Sequence, residues 1–201
     1  VRSGVLQTAT LLRYDACKGL GLMQVTPSDE PLTYLERQGV HHAAELFAVL
    51  QDAAMYRYVV DTPPESLEWF VKRLQFLEIG KSPDGTELWL NWVVRHRCGQ
   101  LVGYVQATVT RDLWADIAYM FNSEFWGHNV AYLACLEMFD LLRTEYSVCT
   151  VYAVTSAENS RSKRLLVRLQ FEETVRADYP GEPVSSSETV WRKKLLRETR
   201  I

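Results

Sequence analysis

Apolar positions along the chain alternate between two periods, and each change of period marks an element. DIAYMF, from Asp116, is short, apolar and rich in strand formers. NSEFWGHN follows as a loop of turn residues, with Gly127 and Asn129 spaced two apart. VAYLACLEMFDLLR then sets Val130, Leu133, Ala134, Leu136, Phe139 and Leu142 on one helical face. A strand that passes to a helix through such a loop leaves unpaired backbone N–H groups at the helix start. Together with the positive end of the helix dipole, these attract phosphate. A single loop glycine is a weak signal, and an ordinary connection that binds nothing accounts for it equally well.

The same patterning orders the rest. Leu32–Glu36 is a short strand, and His41–Gln51 a helix with Ala44, Phe47, Ala48 and Leu50 near one face. Glu65–Leu77 is a second helix behind Pro63 and Pro64, with Trp69, Leu74 and Leu77 expected in the core. Leu88–Arg95 and Leu101–Val109 form a hairpin. Cys149–Val154 is a further strand, and Asn159–Leu169 a short helix with capping groups at its start. Phe171–Tyr179 and Thr189–Leu196 close the chain as a hairpin. Hairpins around one crossover helix predict an α/β (α+β) fold: a mixed, mostly antiparallel sheet of about seven strands covered by helices on both faces. Residues 1–30 show no clear period and are expected to be an extension, either an extra strand or loosely ordered; residues 31–201 form the domain.

Composition narrows the function. At 201 residues and 47% hydrophobic, the chain can build one sizeable core. A net charge of -3 argues against a general electrostatic hold on nucleic acid. No apolar run approaches the ~20 residues of a membrane span, and the start lacks the layout of a secretory signal. Cys17, Cys98, Cys135 and Cys149 are scattered without a CxxC pair, so free thiols in a reducing, cytoplasmic compartment are expected, with no zinc site. The adjacent His41 and His42 point about 100° apart on a helix, which suits a satisfied or solvated pair better than metal ligands.

Several segments, in this order, resemble the GCN5-related N-acetyltransferase (GNAT) family, in its ribosomal-protein-alanine branch. LTYLERQGVHHAAELF is similar to the family's first strand and helix, and GQLVGYVQA to its hairpin arm. ADIAYMFNSEFWGHNVAYLA is similar to the acetyl-CoA segment, and AENSRSKRLLVRLQFEE to the segment after the fifth strand. The chain departs from the family pattern at Asn129 and Gln170, both glycine in the pattern, at Asp116, where Glu is usual, and at Leu166, where many members carry a tyrosine acid.

The resemblance implies acetyl-CoA-dependent transfer of an acetyl group to a primary amine of a small molecule or a protein N-terminus, by direct attack. The alternative is a GNAT-fold protein with lost or altered donor use, either another acyl-CoA or a binding module. It implies catalytic roles for Asp116, as base, and Ser162, as acid. It implies cofactor contacts from Met120, Phe121, Trp126, Gly127, His128, Asn129, Val130, Ala131 and Asn159. Tyr58, Trp89 and Tyr119 are expected to wall the acceptor pocket. No metal, nucleic acid or membrane partner is expected, and a homodimer is left open.

Overall fold

The computed structural model describes residues 31–195. The expectations for residues 1–30 and for Leu196 lie outside this span. One sheet holds β1 Thr33–Arg37, β2 Glu87–His96, β3 Leu101–Thr110, β4 Trp114–Phe121, β5 Thr150–Ser156, β6 Glu172–Thr174 and β7 Glu188–Lys194. Their order across it is β1-β2-β3-β4-β5-β7-β6. Every pairing is antiparallel except β4 with β5, which the crossover helix makes parallel. The helices are α1 Ala43–Val49, α2 Leu67–Leu77, α3 Val130–Thr144 and α4 Ser160–Arg168.

The pleat sorts the sheet's side chains into two clusters. Trp92, Val94, Val105, Ala107, Ala115, Ile117 and Phe121 meet Val130, Ala134, Met138 and Leu142 of α3 and Leu166 of α4. Val93 and Leu101 point the other way, to Leu46 and Val49 of α1 and Phe70 and Leu74 of α2. Helices therefore cover both faces, as the sequence predicts. Trp69 departs from expectation: it is 51% exposed, because the spacing Phe70–Leu74 selects the inward face of α2. Leu136 is likewise exposed, while Cys135 and Met138 take the inward positions of α3.

Two local features fix the middle of the sheet. The β2–β3 register shifts at Val94/Arg95. Gly103 lies opposite Phe121, where an added Cβ would fall 2.1 Å from the Met120 carbonyl oxygen. Only glycine lets β3 and β4 come this close.

His42 is buried and satisfied: its Nδ1 accepts from the Gly39 N–H at 3.2 Å, and its Nε2 meets Glu36 Oε2 at 3.0 Å. Cys98 is disulfide-bonded, which corrects the expectation of free thiols throughout, since spacing along the chain does not reveal a pairing made in space. Among the described residues, no group of three His, Cys, Asp or Glu could hold a metal ion, and no helix is long and apolar enough to cross a membrane.

Candidate active site

The parallel pairing of β4 with β5 covers only Trp114–Asp116 against Thr150–Tyr152. Beyond it the two strands part, and a cleft of about 710 Å³ opens between Ile117–Phe121 and Ala153–Thr155. The Asn122 N–H bonds the Val102 carbonyl, on the β3 side. Strand alternation then turns the N–H groups of Tyr119 and Phe121 toward the gap and that of Met120 toward β3. Of the two expected backbone donors, Phe121 is thus aimed at the cleft. Met120 reaches the cleft wall, and its Sδ accepts from the Tyr104 hydroxyl at 3.0 Å.

The start of α3 closes one end. Gly127 and Asn129 take left-handed backbone, with φ of 83° and 64°. Asn is among the few side-chain-bearing residues that accept this conformation, so the turn survives without the second glycine. The Asn129 side chain is drawn aside, its Oδ1 accepting from Arg168 Nη1 at 2.6 Å. Gln170 adopts the same handedness, φ 64°, at the other substituted glycine. The first bond of α3 runs from the Leu133 N–H to the Asn129 carbonyl, so Val130, Ala131 and Tyr132 begin the helix with no carbonyl behind them. Trp126, Gly127, Asn129, Val130 and Ala131 all line the cleft. His128 is exposed and does not line it.

Arg161, Arg164 and Arg168, on one face of α4, complete this end. Arg161 lies over the Trp126 ring at 3.4 Å, and Arg168 over the Tyr132 ring at 3.9 Å. Trp126 is itself pinned, its indole N–H donating to the Phe121 carbonyl at 2.8 Å. Arg168 and Tyr132 escaped the sequence analysis. The spacing 161, 164, 168 held the signal, since it places three cations on one helical face.

At the cleft centre, Tyr119 and Ser162 share a hydrogen bond of 2.7 Å between their hydroxyls. Ser162 is held at the start of α4, where its N–H donates to Asn159 Oδ1 at 3.1 Å. Burial pushes the Tyr119 hydroxyl well above its usual range. Leu166 points away into the core and is fully buried.

The opposite wall comes from Tyr58, Asp61, Tyr104, Gln106 and Met120. Tyr58 lines the cleft. Trp89 does not: it packs on Phe76 of α2, 5.4 Å between ring centroids, and lies outside the cleft lining. Two strands of sheet separate β2 from the gap, too far for its side chains to reach. Asp116 also lies outside the lining, at the last paired position before the strands part. Its Oδ2 accepts from the Tyr179 hydroxyl at 2.7 Å, and its Oδ1 is buried without a partner among the described residues. Burial raises its carboxyl to about 6, against the opposing pull of the Tyr179 bond.

A cleft between parted parallel strands, facing a helix N-terminus, is shaped for an extended ligand with an anionic end. The family model described as an acetyltransferase (GNAT) domain matches residues 33–172, and the chain belongs to that family. Its fold is also that of ribosomal-protein-S5-alanine acetyltransferase from Vibrio fischeri, at 14% identity and TM-score 0.67, covering 85% of this chain and 97% of that one. An acetyltransferase from Salmonella typhimurium that modifies the N-terminal serine of ribosomal protein L7/L12 is similar at 12% identity and TM-score 0.68, over 82% and 96%. Spermidine N-acetyltransferase from Vibrio cholerae, in complex with CoA and spermine, is similar at 16% identity and TM-score 0.62, over 80% and 93%. Among curated protein sequences the chain has no significant match.

Proposed function

We propose that this acetyltransferase uses acetyl-CoA and passes the acetyl group to a primary amine, on a small molecule or a protein N-terminus, by direct attack. One observation carries this reading: the gap between β4 and β5 runs into the bare N–H groups at the start of α3. Such a site suits an extended arm ending in a diphosphate. The substituted glycines do not argue for lost donor use, because Asn129 and Gln170 keep the left-handed backbone that glycine would supply.

When bound, acetyl-CoA supplies the acetyl thioester. In this reading the N–H groups of Tyr119 and Phe121 hold the pantetheine arm along β4 and polarise the carbonyl. Val130, Ala131 and the arginines of α4 receive the phosphates. Asp116 takes the proton from the acceptor nitrogen through an intervening water, a role suited to a carboxyl held near 6. Ser162 gives a proton to the departing sulfur. An N–C bond forms and the C–S bond breaks, with one proton leaving nitrogen and one reaching sulfur.

The test is calorimetric titration with acetyl-CoA, followed by thiol release in the presence of amines. Absence of binding at large ligand excess would sink the proposal.

A further inference from the structure

Charged side chains reach the cleft from two elements. Arg161, Arg164 and Arg168 line it from α4, and Asp61 from the segment that precedes α2. Among the described residues that line the cleft, Asp61 is the only acidic side chain. It sits on the segment between Tyr56 and α2, on the wall formed by Tyr58, Tyr104 and Gln106.

Asp61 is unengaged. It has no hydrogen-bond or ion-pair partner among the described residues. Arg57 lies over the Tyr58 ring at 5.3 Å, and Arg73 over the Phe76 ring at 6.0 Å; neither lines the cleft. The field of Asp61 nevertheless reaches the pocket. After burial, its charge is the next cause raising the Tyr56 hydroxyl to about 12, and it also raises that of Tyr104. An unpaired carboxylate in a cleft lined by Tyr58 and Tyr104 is a seat for an organic cation, which gains from the charge.

The cation seated there is not the reacting nitrogen. A carboxylate paired with the reacting group would favour its protonated form, and only the neutral amine attacks a carbonyl. Asp61 therefore suits a second, non-reacting ammonium on the same acceptor. We propose that Asp61 is the specificity-determining residue of the acceptor pocket, and that the acceptors are small amines carrying a second positive charge. This rests on the acyl-transfer reading of the cleft.

The experiment uses the full chain with acetyl-CoA. It compares a series of α,ω-diamines of increasing length, each against the monoamine of the same length. The best diamine is expected to exceed its monoamine in kcat/KM by about tenfold at low salt, and by less as salt rises. Asp61→Asn should bring the ratio close to one by raising KM for the diamine, and Asp61→Glu should retain most of the preference. Equal kcat/KM for the two series overturns the proposal. So does a ratio unchanged in Asp61→Asn, or turnover of neither series by protein that binds acetyl-CoA. Failure to bind acetyl-CoA, read separately by calorimetry, removes the acyl-transfer reading and this inference with it. Asparagine is nearly isosteric with aspartate and Asp61 is exposed, so the variant is expected to fold.

Discussion

The hydroxyls of Tyr119, on β4, and Ser162, on α4, stand 2.7 Å apart across the cleft. The bond holds the Ser162 hydroxyl in place, with either hydroxyl able to donate. Tyr119→Phe should lower kcat by roughly tenfold while leaving KM for acetyl-CoA near its original value. Ser162→Ala should cost at least as much. If Tyr119 acts only through Ser162, the double variant will be no slower than Ser162→Ala alone, and steady-state kinetics on the four proteins checks this. Additive losses would separate the two roles.

Asp116 links activity to pH. As a base with a carboxyl near 6, it should give kcat/KM that rises with pH through about 6. Asp116→Asn removes the base, so its deficit should be largest above pH 6 and shrink below it. A full acid limb retained in the variant would take Asp116 out of the reaction.

The same group affects stability, in the opposite direction. Its folded value is raised to about 6 from an ordinary 3.8. Stability from the neutral carboxyl is complete below the unfolded value and is lost as pH rises through the folded one. The loss is on the order of 2–3 kcal/mol. Asp116→Asn should therefore raise Tm relative to the parent at pH 8 and scarcely change it near pH 3, as differential scanning calorimetry would show.

Asn129 tests the loop. At φ 64°, Asn129→Val should cost about 1–2 kcal/mol and weaken acetyl-CoA binding, whereas Asn129→Gly should keep both stability and affinity. Arg168→Ala frees the Asn129 side chain and removes a cation, so it should weaken binding and reduce its salt dependence. Calorimetry at two ionic strengths measures both effects.

Gly103 tests the sheet. With the Met120 carbonyl oxygen 2.1 Å from any Cβ added there, and that atom being backbone, Gly103→Ala should cost about 2–4 kcal/mol in urea unfolding. Unchanged stability would show that β3 and β4 can separate at low cost.

The sequence by itself determined the elements and their order. Alternation fixes β2 and β3, a 3.6-residue period fixes α3, and Ser66 and Asn159 accept from the backbone at the starts of α2 and α4. These signals are local, carried by residues within a turn or two of each other. The sequence also marked the stretch from Trp126 to Ala131, because strand, turn and helix follow in one continuous run. What only the tertiary structure decided is which side chains meet. Tyr119 and Ser162 lie 43 residues apart and become neighbours only because β4 and β5 part after Asp116. Asp116 and Trp89 lie outside the cleft lining, and among the described residues that line it Asp61 is the one acidic side chain. Helical phase against the core, rather than hydrophobicity, left Trp69 in solvent. Sheet register and the point at which two strands separate depend on packing over the whole molecule. No short window of residues encodes that packing.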